Sequence, residues 1–161
     1  MPSTAYLSLG SNLGNREQSL RDAIARLAKA GRVLQQSSLY ETEPVEFTAQ
    51  PWFLNYVVEL ETDLTPQRLM AELLAIEKEM GRERTQRKGP RVIDLDILLL
   101  GELVIHSPEL TIPHPAMQER RFVLEPLVEI APQVRHPLLK KTAKELLLQL
   151  PPGQCVRQIA H

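Results

Sequence analysis

Between residues 53 and 62 apolar and polar positions alternate with a period of two. Leu54, Tyr56, Val58 and Leu60 line one face, and Phe53, Asn55 and Val57 the other. This β-rich alternation predicts a strand. The same reading places a first strand at 5–9, a second at 33–42 and a fourth at 92–100. The turn Gly101-Glu102 then leads into a short fifth strand at 103–106. Two segments show helical spacing instead. Leu20, Ala23, Ile24, Leu27 and Ala28 recur at the 3.6-residue period until Gly31, behind Asn15 and Gln18, which resemble a capping box. Leu69, Met70, Leu73 and Met80 form a second stripe that opens on Thr65-Pro66, a good N-cap and N1 pair, and closes at Gly81. Short helices are expected near 120–130 and 142–150, after a proline-rich loop around Ile112-Pro113-His114-Pro115. The order β-α-β-β-α-β predicts an α+β fold, a ferredoxin-like core with a largely antiparallel sheet, helices packed on it and a C-terminal extension.

Composition changes this picture little. A chain of 161 residues with 43% hydrophobic and 24% charged content fits one domain, 1–161, with a full core and no need of staples. The single cysteine, Cys155, allows neither an internal disulfide nor a thiolate zinc cluster. No window reaches the length of a membrane span, and the N-terminal residues lack a signal-peptide pattern; a cytoplasmic location is expected. The net charge of −1 argues against general attraction to nucleic acid or anionic membrane.

Against that neutral background, residues 82–91 carry five cations (Arg82, Arg84, Arg87, Lys88 and Arg91) opposed only by Glu83. So concentrated a patch suggests a small polyanionic ligand. Arginine's planar fork binds phosphate bidentately, and each charge-assisted contact contributes about 1.5–3 kcal/mol. A solvated loop held by surface ion pairs is the plainer alternative. The next strand carries Asp94 and Asp96, two apart and therefore on one face. Such a pair either guards an exposed edge or offers hard oxygen ligands to Mg²⁺, which bridges substrate phosphates. The arginine-rich segment just before it favours the metal.

Phe53 beside Asn55 can stack on a flat heterocycle and read its edge, with Phe122 as a second ring; Phe53 alone also reads as core. Glu77, on an otherwise apolar stripe, is either a satisfied boundary residue or part of a site. His114, between two prolines, either donates to phosphate or is satisfied by backbone groups. Residues 10–14 are not a Walker A loop, and no nucleophile elbow or H-E-x-x-H occurs.

Six motifs occur in order: LGSNLGNR at 9–16, YETEPV at 40–45, FLN at 53–55, IEKEMGRER at 76–84, RKGPRVIDLDILL at 87–99 and IPHPAMQERRFVLEPLVEIAP at 112–132. Together they resemble the 6-hydroxymethyl-7,8-dihydropterin pyrophosphokinases. The resemblance implies transfer of the β,γ-diphosphate of ATP to the pterin hydroxymethyl oxygen, with release of AMP, in folate biosynthesis. It implies two Mg²⁺ ions held by Asp94 and Asp96, and catalytic roles for these two and for Arg82 and Arg91. The pterin site it implies comprises Gly10, Ser11, Asn12, Thr42, Val45, Phe53, Asn55 and Phe122. On the ATP side it implies Glu77, Arg82, Arg84, Arg87, Arg91, Leu98, His114 and Arg120. The partners it implies are these two small molecules, bound by a monomer, with no nucleic acid or membrane. Lys88, Glu109 and Leu74 depart from residues common among relatives. Non-catalytic nucleotide sensing, RNA binding and Mg²⁺-dependent phosphate hydrolysis are the competing readings.

Overall fold

A computed structural model of the chain describes residues 2–43, 52–81, 92–153 and 155–159. It is a mixed α/β fold built on a six-stranded antiparallel sheet. In chain order the elements of the core are β1 (Ser3–Ser11), α1 (Arg16–Arg26), β2 (Arg32–Gln36), β3 (Tyr40–Thr42), β4 (Phe53–Thr62), α2 (Pro66–Glu79) and β5 (Asp94–Leu100). After them come β6 (Ile105–His106), β7 (Thr111–Ile112), α3 (Arg121–Ile130), α4 (Ala143–Gln149) and β8 (Val156–Gln158). The main sheet runs β5-β1-β4-β3-β8, with β2 also on β4.

Alternation along the strands divides the sheet into two buried faces. Ala5, Leu7 and Leu9 of β1, with Leu54, Tyr56, Val58 and Leu60 of β4 and Leu95 and Ile97 of β5, pack against Leu20, Ala23, Leu69, Leu73 and Ile76 of α1 and α2. The other face packs Val57, Leu98 and Leu99 against Met117, Val123, Leu127 and Ala143, under α3 and α4. Thr65 caps α2 by accepting from Arg68 N, with Pro66 next to it. Asn15 accepts from Gln18 N, but Gln18 turns its amide to Asp22, so the cap on α1 is not reciprocated.

Three expectations need correction. The strand expected at 33–42 is two, β2 and β3, which pair with opposite ends of β4. Ser37 makes the break: its N–H donates to Val57 O at 2.9 Å and its hydroxyl accepts from Val57 N at 2.9 Å. A side chain thus stands in for the ladder there. The fifth strand shrinks to Ile105–His106, which joins β7 in a separate two-stranded ribbon. Leu99, which strand alternation two residues on from Ile97 would place on the same core face, lies on the α3 side. A register shift between Tyr6 and Leu7 pairs them with Leu99 and Ile97, leaving Leu98 as an extra residue.

Candidate functional site

The register of the sheet assembles the site. Gly10 lies opposite Asp94 on one side and Asn55 on the other, and Asn55 lies opposite Tyr40. Ser8 lies opposite Asp96 and Val57, and Thr42 opposite Phe53. Residues opposite one another share a face, so Asp94, Asp96, Asn55, Phe53 and Thr42 all point to the side covered further along by α3. That helix packs on Val57, Leu98 and Leu99 and leaves the end bearing the two carboxylates half-exposed.

Gly10 is required by a close approach. A Cβ there would sit 2.7 Å from Asn55 Nδ2 and 3.7 Å from Phe53 Cδ1. The missing side chain is the space in which the Asn55 amide lies. Asn55, Ser11 and Thr42 are all buried, yet Asn55 Oδ1, Ser11 Oγ and Thr42 Oγ1 have no hydrogen-bond partner among the described residues. A buried polar atom left unpaired costs roughly 1–3 kcal/mol, so the two that share the open face, on β4 and β3, mark a place built for a polar ligand, whereas Ser11, opposite Leu54, faces α1 and α2. Asn12 is buried beside them and has a partner of its own.

Phe53 and Phe122 are half-buried, and the Arg120 guanidinium lies over the Phe122 ring, 5.5 Å from its centroid. The loop before α3 carries His114. Its N–H donates to Leu98 O at 3.0 Å, and its Nδ1 accepts from Ala116 N at 3.1 Å. Burial and the Arg120 charge push the imidazole pKa down to about 4, against the pull of Asp94. At neutral pH the ring is therefore uncharged and keeps its proton on Nε2, a donor. Backbone satisfaction at Nδ1 and a free donor at Nε2 are compatible, so the two readings of His114 merge.

Glu77 and Leu98 prove to be interior. Glu77, 2% exposed, accepts from Leu95 N at 2.8 Å and so anchors the start of β5 between the two aspartates. Leu98 is packed under α3, and its carbonyl holds the His114 loop. Both have positioning work in the structure. Val45, Arg82, Arg84, Arg87 and Arg91 lie outside the described residues.

Asp94 and Asp96 make hydrogen bonds or electrostatic contacts of their own. Among the described residues no group of three or more His, Cys, Asp or Glu side chains converges as a metal cage. Two hard carboxylates on one open face fit Mg²⁺, which takes one or two carboxylates and completes its shell with water and substrate phosphate.

Sequence reasoning missed a cluster at the edge of the site. Arg16 donates to Glu41 Oε2 at 3.0 Å and to Trp52 O at 2.9 Å. The Arg157 Nε donates to Glu41 Oε1 at 3.1 Å, and its guanidinium lies 5.2 Å from the centre of the Trp52 ring. The two arginines, Arg157 foremost, hold the Glu41 carboxyl below the usual range. Arg16 and Glu41 fall inside motifs already singled out, whereas Arg157 sits where no motif marks it.

The model of the family described as 7,8-dihydro-6-hydroxymethylpterin-pyrophosphokinase (HPPK) matches residues 6–132. The 2-amino-4-hydroxy-6-hydroxymethyldihydropteridine pyrophosphokinase of Bacillus subtilis is 49% identical over 136 residues, covering 83% of this chain and 81% of its own. That of Aquifex aeolicus is 39% identical over 158 residues, covering 97% and 99%. The folic acid synthesis protein fol1 of Schizosaccharomyces pombe is 47% identical over 149 residues, 91% of this chain; the chain spans 20% of that longer protein. The fold is shared with wild-type Plasmodium falciparum HPPK-DHPS solved with pteroate, at a TM-score of 0.75 and 16% identity, over 92% of this chain and 42% of that one.

Proposed function

This chain belongs to the 7,8-dihydro-6-hydroxymethylpterin-pyrophosphokinase (HPPK) family, and on that footing we propose that it transfers the β,γ-diphosphate of ATP to 6-hydroxymethyl-7,8-dihydropterin. The products are the pterin diphosphate and AMP, a step of folate biosynthesis. The observation that carries the reading is the buried, unpartnered pair Thr42 Oγ1 and Asn55 Oδ1 beside Phe53, on the face of the sheet that also presents Asp94 and Asp96. A pterin offers a flat ring for Phe53 and Phe122 and a polar edge for these atoms.

The chemistry is positioning and charge neutralisation. Asn55 and Thr42 orient the pterin so that its hydroxymethyl group points along the sheet toward the two aspartates, and Ser11 is assigned to the pterin on the family resemblance alone. Asp94 and Asp96 would hold Mg²⁺, two ions by the family resemblance, and these supply charge neutralisation across the triphosphate when bound. His114, uncharged, donates from Nε2 to the nucleotide side, and Arg120 adds a fixed positive charge there. Gly10 and Asn12 shape the pterin wall. Arg82, Arg84, Arg87 and Arg91 are assigned to the phosphates, and Val45 to the pterin, on the family resemblance alone. Glu77 and Leu98 act on the nucleotide side through the backbone they hold.

Residues 1–161 are read as one pyrophosphokinase domain with a ferredoxin-like core. The antiparallel order β5-β1-β4, with β2 and β3 on the far side of β4, supports that core, and β6 to β8 with α3 and α4 are read as additions to it. A cytoplasmic monomer acting on small molecules alone completes the proposal. Among the described residues no helix is long and apolar enough to cross a membrane.

The test is product identity by chromatography. The purified chain with Mg-ATP is expected to form AMP only when 6-hydroxymethyl-7,8-dihydropterin is added. ADP as product, or phosphate release without pterin, would overturn the reading in favour of a simple kinase or phosphohydrolase.

A further inference from the structure

We propose that Arg157, on the last strand of the sheet, is a positioning residue for the pterin pocket, acting through Glu41 and Trp52. The proposal rests on the assignment of Phe53, Thr42 and Asn55 to the pterin.

The geometry divides one carboxylate between two arginines from distant parts of the chain. Glu41 Oε2 accepts from Arg16, the first residue of α1, while Glu41 Oε1 accepts from Nε and a terminal nitrogen of Arg157. Both arginines then reach the same third residue. Arg16 fixes the Trp52 carbonyl, and Arg157 covers the Trp52 ring. Trp52 immediately precedes Phe53, and Glu41 immediately precedes Thr42; Phe53 and Thr42 are partners in the sheet. The clamp therefore grips the residue before each of two pocket residues. It also ties both to Arg16, which follows the turn leading away from Gly10, Ser11 and Asn12. Strand β8 is held in place independently by pairing along β3, where Arg157 lies opposite Glu41, and by Cys155 N donating to Glu43 Oε1 at 2.6 Å.

Exposure separates this role from a stabilising one. The Arg157 side chain is 65% exposed and Glu41 17%, so the pair is open to water on the arginine side and contributes little to folding. What it supplies is direction. An arginine can engage a carboxylate with its fork and lay its plane on an indole at once, which a lysine point charge cannot reproduce. Removing it leaves every pocket residue in the chain but releases Trp52 from one of its two holds, the one on its ring. Pterin binding responds to small misplacements at Phe53; among the described residues, β5 and the His114 loop on the nucleotide side make no hydrogen bond or ion pair to the clamp.

The experiment compares wild type, Arg157→Ala, Arg157→Lys and Glu41→Gln by steady-state kinetics and urea unfolding of the full chain. For Arg157→Ala the KM for 6-hydroxymethyl-7,8-dihydropterin is expected to rise about tenfold. KM for Mg-ATP and the unfolding midpoint stay at wild-type values. Arg157→Lys recovers part of the loss, and Glu41→Gln moves pterin KM in the same direction. An unchanged pterin KM in Arg157→Ala overturns the proposal. So does an equal rise in both KM values, or a loss that tracks a fall in the unfolding midpoint, since either describes a merely structural contact. Failure of the underlying activity is distinguishable, because it shows in the wild-type chain as absence of pterin-dependent AMP.

Discussion

A methyl group at position 10 would meet the Asn55 amide at 2.7 Å, well inside van der Waals contact. Asn55 is buried and hemmed by strand neighbours, so its amide must turn away from the added carbon, while Phe53 at 3.7 Å stays in ordinary contact. Gly10→Ala is therefore expected to fold, because the strand itself tolerates alanine, while weakening pterin binding by about tenfold or more; equilibrium titration with the pterin beside urea unfolding checks both halves. Glu77 presents the opposite case, a side chain whose removal is felt by the fold. Glu77→Ala leaves Leu95 N–H, now bonded at 2.8 Å, without this acceptor in the interior, at a cost of roughly 1–3 kcal/mol. Glu77→Gln keeps an oxygen in place and is expected to lose less, as read from the unfolding midpoints of the two variants.

At this scale much of the site was legible. Asp94 and Asp96, Phe53 and Asn55 stood out because strand periodicity fixes which side each faces. Ser11 and Thr42 came only from the resemblance, since a serine or threonine in a strand has no distinguishing pattern. Glu41 with its two arginines escaped altogether. Charged residues 25 and 116 positions from their partner carry no local signal of the pairing.

The turn between Arg135 and Thr142 shows how an element answers to pH. His136 is buried, and its Nδ1 accepts from Leu138 N at 3.2 Å and Leu139 N at 3.1 Å. Burial holds its pKa below the ordinary 6.5, so as pH falls the unfolded chain takes up a proton before the native one does. The stability His136 contributes is complete above 6.5 and is lost as pH falls from there through its folded value. His114, at about 4, has the same sign. The urea midpoint is expected to drop between about pH 7.5 and 5 in the wild type and to drop less in His136→Asn, which retains His114 and keeps a side-chain acceptor for the turn. Boundaries of elements were harder to foresee than their existence. The stretch 33–42 reads as one continuous strand because the Ser37 substitution for a backbone partner costs nothing in the pattern of apolar residues.

Across the whole molecule the two faces of the sheet do different work. The face under α1 and α2 is apolar between polar strand ends at Ser11 and Thr62, while the other is apolar beneath α3 and polar beyond it. Replacing Asp96 by alanine alters only the open end. Asp96→Ala is expected to abolish AMP formation while leaving pterin affinity and the unfolding midpoint close to wild type, as product chromatography, pterin titration and urea unfolding would show. A parallel collapse of pterin binding would place Asp96 in the wrong half of the site. The layered α/β arrangement followed from period and order alone. The extra residue in β5 did not, since an added leucine among leucines leaves the hydrophobic pattern unbroken.

That extra residue, Leu98, marks where one strand changes purpose. Before it lie two carboxylates on the open end of one face; from it onward Leu98 and Leu99 hold α3 to that face. The candidate metal ligands and the residues that anchor α3 therefore occupy different positions of the same seven residues, with Leu95 and Ile97 beside the aspartates packed in the other core. On the proposed assignment, a descendant that lost both aspartates would shed its chemistry without shedding its architecture, leaving a stable, inactive receptacle free to be put to other uses.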